Sequence, residues 1–234
     1  MAIAHDTATR FPTTDGTSGT NSQDTTTGDR TFSHAASASA TGAVVILISS
    51  VQPTAVVDGV LYGGVSMTLV ASAVDTSEAG AVWVYAVVGN PIPQGTQTVT
   101  LKNCTASAKW ATCCTVTGVN PRVDGTNFKN TTTSTNPQVN ITNAATAMAY
   151  AGVCDGDSAP ATAGITGCTI VRSNDVGTRM ANVVRWTSPT AAGTTAIGAT
   201  VAASEDHCVA AVALSESTAE APPPVTAHRQ LRAA

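Results

Sequence analysis

The feature that most constrains the fold is a row of short strand-like segments separated by glycine, proline and asparagine turns. The row runs through Val60–Val70, Val82–Val88, Asn90–Pro91 and Gly95–Leu101. Its strand segments are rich in β-branched and aromatic residues, and no helical period connects them. This pattern predicts an all-β protein.

The other apolar segments extend the same pattern to about a dozen strands. They are Ala43–Ser50, Val56–Leu61, Ser66–Ala73, Trp110–Val116, Ala145–Cys154, Gly167–Arg172, Met180–Thr187, Ala196–Ala202 and His207–Ala213. One sheet does not comfortably hold so many strands, so we expect a two-sheet antiparallel β-sandwich that is jelly-roll-like. Gly63 and Gly64 follow Tyr62 and permit the positive φ of a tight hairpin at that point.

Two local patterns carry further structural predictions. Trp83 and Tyr85 alternate with Val82 and Val84, which places the two rings on one face of a strand and the valines on the other. The stretch from Gly95 to Cys113 is weakly similar to that from Gly193 to Val209. This similarity predicts two alike hairpins in facing sheets, and on its own it does not establish a duplication.

The chain length suits one large β-sandwich domain with an extended arm at each end. Residues 1–30 are mostly Thr, Ser, Gly, Asp and Asn, a composition that buries little apolar surface, and they are interpreted as a polar N-terminal arm. The sandwich domain is assigned to residues 31–215. Residues 216–234 contain Ala221-Pro-Pro-Pro224 and are interpreted as an extended C-terminal arm.

Charge and hydropathy argue against two classes of partner. Charged residues make up 11% of the chain, and the net charge of −4 provides no basic stripe for nucleic acid. No apolar run reaches the roughly 18 residues that span a bilayer, so no membrane partner is expected. The start at Met1–Asp6 lacks the pattern of a signal peptide, and we expect synthesis in a cytoplasm.

The six cysteines lie at Cys104, Cys113, Cys114, Cys154, Cys168 and Cys208, and none forms a C-x-x-C pair. The favoured interpretation is buried, reduced thiols in strands. The alternative is oxidation outside a cell, where Cys154 and Cys168 could close the polar loop between them. Cys113 and Cys114 are adjacent and must point to opposite faces of a strand.

No constellation of residues predicts catalysis, a metal or a cofactor. The histidines are dispersed at His5, His34, His207 and His228, and isolated strand histidines are usually packed or solvated. The acidic loop Asp155-Gly-Asp157 offers too few oxygen ligands for calcium on its own, and a polar hairpin tip is the alternative. Trp110 and Trp186 are the aromatic residues considered for contact with a glycan.

Several turns and core rings resemble a family of β-sandwich proteins from bacteriophage structural modules, also found in some bacterial surface proteins. The matching elements are Thr31-Phe-Ser-His34, Ala43 to Ile48, Val60-Leu-Tyr62 with Gly64 to Thr68, Trp83-Val-Tyr85, Asn90-Pro91 with Gly95 to Val99, and Thr117-Gly-Val-Asn120. The resemblance covers Thr31 to about Gly125 closely and the rest only in style. The cysteines around Cys113 depart from it.

The resemblance implies a jelly-roll or lectin-like virion protein without enzymatic residues. We therefore expect a bacteriophage structural protein, with capsid decoration or cement preferred over a tail or fibre component. Expected partners are capsid or tail proteins of the same particle and further copies of this chain, with a trimer as one arrangement. The alternative is a tail- or fibre-associated module that binds carbohydrate or a host receptor, and a hydrolase is a more distant third hypothesis.

Overall fold

The structure is a computed structural model that describes residues 3–12, 23–49, 56–75, 80–89, 92–118, 121–155, 161–175, 180–202 and 204–216. These residues form seventeen β-strands and no helix, so none of them belongs to a helix that could cross a membrane. The strands of the first half are β1 Ala4–Phe11, β2 Gly28–Ala36, β3 Ala40–Ser49, β4 Gly59–Tyr62, β5 Val65–Ser66, β6 Thr68–Val74, β7 Ala81–Val88, β8 Gly95–Cys104 and β9 Lys109–Thr117. Those of the second half are β10 Pro121–Ser134, β11 Gln138–Asn143, β12 Ala147–Asp155, β13 Ala161–Gly164, β14 Cys168–Asp175, β15 Met180–Trp186, β16 Gly193–Val201 and β17 Glu205–Glu216.

The strands pair into four antiparallel sheets. The first outer sheet has the order β2-β8-β4-β5, and the first inner sheet has the order β1-β9-β3-β7-β6. The second inner sheet has the order β10-β17-β12-β15-β14, and the second outer sheet has the order β11-β16-β13. One core fills the space between the first outer and first inner sheets. A second core extends from the other face of the first inner sheet, through the second inner sheet, to the second outer sheet. The predicted all-β antiparallel architecture is confirmed.

The two halves of the chain repeat one topology. In each half the first strand pairs with the last, and the same order of strands follows across the inner sheet. The similarity between Gly95–Cys113 and Gly193–Val209 corresponds to β8–β9 and β16–β17, which occupy matching places. These segments are not hairpins, because β8 and β16 lie in outer sheets whereas β9 and β17 lie in inner sheets.

The number of sheets is four rather than the predicted two, because the inner sheets are covered on both faces. All ten residues of β3 are buried, and its successive side chains alternate between the two cores. The inner sheets pack so closely that a Cβ on Gly152 of β12 would lie 2.8 Å from Ile46 Cγ2 and 2.5 Å from Val82 Cγ1. Gly152 therefore allows the two halves to approach.

The predicted glycine hairpin is confirmed and ends sooner than expected. Tyr62 pairs with Val65, and Gly63 and Gly64 have φ values of 54° and 83°. The expected strand Ser66–Ala73 is divided at Met67, where the chain passes from the first outer sheet to the first inner sheet.

The prediction of an N-terminal arm is wrong for the part that forms β1. Residues 4–11 form β1, which pairs with β9 at the edge of the first inner sheet. Their polar side chains find partners inside the protein, as His5 does with the Tyr150 hydroxyl at 2.9 Å. Composition did not predict this strand, because the ordering comes from those tertiary contacts. Residues 13–22, and residues 217–234 of the expected C-terminal arm, lie outside the described residues.

The predicted alternation of side chains is confirmed at two places. Trp83 and Tyr85 belong to the core of the first half, whereas Val82 and Val84 belong to the other core. Cys113 and Cys114 point to opposite faces of β9, one into each core.

We expect Gly152→Ala to lower the free energy of unfolding by about 1–3 kcal/mol, because the added methyl overpacks the contact between the inner sheets. Gly59→Ala is the matched strand control, since a Cβ there meets nothing within 4 Å. Urea denaturation of both variants measures the difference. Equal stability of the two variants would contradict the close approach of the sheets.

Candidate interaction surface

The inner sheets meet along two seams, and the seam between β1 and β14 is closed by arginines. Arg10 donates from Nε at 3.0 Å and from Nη2 at 2.6 Å to the carbonyl oxygen of Val171. Val171 is the extra residue of a bulge in β14, between Ile170 and Arg172. The guanidinium thus satisfies a carbonyl group that the bulge turns away from the regular ladder. We call this contact region the closed seam.

Arg172 fastens the same seam from the opposite side. Its buried guanidinium donates from Nη1 to the carbonyl oxygens of Phe11 and Ala111, both at 2.8 Å, and from Nη2 to that of Pro12 at 3.3 Å. Burial, with a smaller contribution from Arg10, lowers the pKa of Arg172 to about 9. Desolvation of this charge is offset by the carbonyl dipoles around it.

Directly paired residues form matching rows across the two inner sheets. One row crosses the first inner sheet through Arg10, Thr112, Ile46, Val84 and Ala71. The other crosses the second inner sheet through Phe128, Ala210, Gly152, Val183 and Arg172. The two rows are equivalent because each ends at the residue that follows a bulge, Ala71 after Val70 and Arg172 after Val171. Phe128 therefore occupies the position of Arg10, and Ala71 occupies that of Arg172.

The second seam, between β6 and β10, is an uncovered groove. It is lined by Leu69, Val70, Ala71 and Val74 of β6 and by Thr126, Phe128 and Asn130 of β10. Leu69 is 48% exposed and Phe128 is 56% exposed, although both are large apolar residues. The Asn130 side chain accepts a hydrogen bond from the Val74 amide at 3.2 Å and joins the two edges. We call this surface the open groove.

A histidine, a carboxylate and two hydroxyl groups lie within hydrogen-bond reach of one another between β1, β2 and β9. His34 Nδ1 is 3.0 Å from Thr9 Oγ1, and His34 Nε2 is 3.2 Å from Thr115 Oγ1. Thr115 Oγ1 donates to Asp6 Oδ2 at 2.9 Å. A nucleophile–base–carboxylate triad needs the histidine between the hydroxyl and the acid. Here a threonine lies between them, and His34 and Thr115 are fully buried.

This cluster is therefore better explained as a structural network than as a catalytic centre. It connects β1 to its sheet neighbour β9 and to β2 of the first outer sheet, and Asp6 also accepts a hydrogen bond from the Ser37 amide at 3.0 Å. Burial lowers the pKa of His34, which favours its neutral form. His5 contacts the Tyr150 hydroxyl, and His207 Nε2 lies 3.1 Å from the Ser134 carbonyl oxygen.

The described residues hold no group of three or more His, Cys, Asp or Glu that could bind a metal ion. The acidic loop considered for calcium begins at Asp155, whose backbone ends β12. Gly156 and Asp157, the other residues of this candidate calcium loop, lie outside the described residues.

Lys109 is a buried cation that the sequence interpretation missed. It is 0% exposed, and its Nζ contacts the carbonyl oxygens of Asp24, Thr26, Thr105 and Ser107 at 2.9–3.3 Å. The Asp24 carboxylate lies 3.5 Å away. Burial would raise the pKa of Asp24, but hydrogen bonds from Thr26 and the charges of Lys109 and Arg30 hold it below its ordinary value. The cage binds residues 24–26 to β9.

All six cysteines are free thiols in the structure, and five of them are buried. Cys154 pairs with Ala181, whereas Cys168 pairs with Trp186, five residues farther along β15. That separation is about 17 Å along a strand, and a disulfide needs Cα atoms within about 7 Å. A disulfide between Cys154 and Cys168 is therefore incompatible with this geometry. The predicted burial of the thiols is confirmed for all the cysteines except Cys168.

Trp110 and Trp186, the two residues considered for contact with a glycan, are buried and cannot contact one in this structure. Each is 1% exposed, and Trp186 donates its indole N–H to the Ala196 carbonyl at 3.0 Å. A sugar needs an accessible ring face for stacking, which neither tryptophan offers.

Comparison with protein-family models, with curated proteins and with solved structures found no match for this chain.

We expect Lys109→Met to destabilise the protein by about 3 kcal/mol or more, because the cage carbonyls and the Asp24 carboxylate would lose their buried cation. Lys102→Met is the control. Lys102 pairs with Asp29 on the surface, where an ion pair contributes about 0–1 kcal/mol. Thermal and urea unfolding compare the variants, and similar losses in both would contradict the buried cage.

We expect stability to fall as the pH is lowered from 7 to 5. Burial lowers the pKa values of His5, His34 and His207, that of His5 to about 4. Below the ordinary histidine pKa of about 6.5, the unfolded chain binds protons at these histidines and the folded chain does not. The stability that depends on the neutral histidines is therefore fully present above this pH and decreases below it. Urea unfolding at several pH values measures the slope.

The variant His5→Gln tests the origin of that slope. It removes one of the three groups and should make the loss of stability between pH 7 and 5 shallower. A wild-type stability that does not change over this range, or a His5→Gln slope equal to it, would contradict the assignment.

Proposed function

We propose that the chain is a non-enzymatic structural protein of a bacteriophage virion, a capsid decoration or cement protein that binds the particle through its exposed edges. The open groove is the observation that supports this role most directly. Two sheet edges lie side by side there, and large apolar side chains face solvent. Exposed apolar patches of this kind mark surfaces that bind other proteins.

Three further features are consistent with this proposal. The strand order of each half suits a jelly roll, an architecture that recurs in viral capsid proteins. In the triad-like group, His34 and Thr115 are buried, and the residues are in the wrong order for hydrolysis. The sequence elements from Thr31 to about Gly125 resemble bacteriophage structural modules.

The partners in this proposal are capsid or tail proteins of the same particle and other copies of the chain, in a virion assembled in the host cytoplasm. The open groove supports the proposed homo-oligomer, since covering such a surface with a second copy would stabilise the folded protein. No specific observation favours the glycan-binding alternative, because its two candidate tryptophans are buried.

We expect the full chain to be present on gradient-purified particles at a fixed ratio to the major capsid protein. Quantitative mass spectrometry of the particles measures that ratio, with an abundant cytosolic host protein as the control for carry-over. Detection of the chain only in the soluble lysate would contradict the proposal. Saturable binding on a glycan array would instead favour the receptor-binding alternative.

A further inference from the structure

We propose that the open groove binds the C-terminal segment of a neighbouring copy of this chain, residues 217–234. This inference rests on the proposed structural role, because it requires several copies side by side. It assigns the two members of one contact, the groove as acceptor and the Pro- and Arg-containing segment as its ligand.

The groove lacks a group that the closed seam supplies. In the closed seam, the guanidinium of Arg10 donates twice to Val171 O at the bulge of β14. In the open groove, Val70 is the corresponding extra residue of a bulge in β6, between Leu69 and Ala71. Phe128 occupies the position of Arg10, and its side chain has no hydrogen-bond donor. A matching ligand therefore carries a guanidinium as well as apolar surface.

The C-terminal segment has both properties. It contains Ala221-Pro-Pro-Pro224, which favours an extended polyproline conformation, and then Arg229, Leu231 and Arg232. Pro-rich segments of this kind bind grooves that present an aromatic side chain. Phe128 is the exposed aromatic residue of the groove. We assign the prolines to the apolar floor and one of the two arginines to Val70 O.

The direction of β17 favours a neighbouring copy over the same chain. Phe128 lies opposite Ala210, and the strand continues six residues farther, to Glu216 opposite Pro121. The chain therefore leaves its own groove behind by about 20 Å. Residues 217–221 are Ser-Thr-Ala-Glu-Ala, a sequence without the Gly, Asn or Asp that favour a tight reversal, and the sequence of three prolines that follows favours an extended chain. The eighteen residues can reach up to about 60 Å.

Photo-crosslinking of the full-length chain tests this contact. The photoreactive residue p-benzoylphenylalanine replaces Phe128, and unlabelled and isotope-labelled copies of this protein are mixed in equal amounts before irradiation. We expect cross-linked peptides that join position 128 of one label to residues 217–234 of the other. Cross-links within one label only, cross-links to β6 or β10 of a neighbour, or no cross-linked peptide would each overturn the inference.

Matched variants test the chemistry of the contact. The same probe at Thr98, exposed on the first outer sheet, should give no cross-link to residues 217–234. Combined Arg229→Ala and Arg232→Ala substitutions should lower the cross-link yield at position 128 several-fold, whereas Lys129→Ala beside the groove should leave it unchanged. An unchanged yield in the double variant would overturn the role of the arginines.

The outcome can be separated from that of the proposed function. If the chain is present on purified particles and yet gives no cross-link between copies, only the groove contact fails. If the chain is absent from particles, the structural role fails, whether or not the groove binds a C-terminal segment.

Discussion

Burial of both faces of the two inner sheets is the constraint on which the rest of the structure depends. A strand covered on one face needs apolar residues only at alternate positions, but β3 is buried along its whole length and has almost no polar side chains. The apolar area removed from water by this double coverage is the main stabilising contribution in a chain with so few charges. It also requires Gly152, because the second inner sheet approaches Ile46 too closely for a side chain at that position.

The same constraint explains which parts of the fold could be predicted. Strands with apolar or aromatic runs, such as those around Val45, Trp83 and Val184, could be predicted from the sequence because their apolar composition indicates burial. The four-sheet stack was not found, although the unbroken apolar run of β3 was a signal for it. In a two-sheet sandwich that strand would leave one apolar face in water. The strand β11 was not predicted either, although Val139 and Ile141 alternate with polar residues in the pattern of a half-buried strand.

Other features had no local signal. The strand β1 is mostly polar, and it is ordered by pairing with β9 and by contacts of His5, Thr9 and Arg10 with residues far along the chain. Lys109 follows the same rule, since its cage forms only when residues 24–26 return to the start of β9. The open groove could not be found either, because Leu69 and Phe128 come together only when the two halves stack. Tertiary contacts, and not local propensity, decide all three.

The difference between the two seams has a consequence for assembly. Two identical subunits related by a twofold axis would have identical seams, but here both halves belong to one chain, and their equivalent positions differ. Arg10 closes one seam, whereas Phe128 leaves the other open. In the proposed assembly each copy then offers two unlike surfaces, a groove and a C-terminal segment. Two copies that exchange their segments reciprocally form a closed twofold dimer. Copies related head to tail form a closed ring if the rotation between them closes, as a trimer would, or an extended array if it does not.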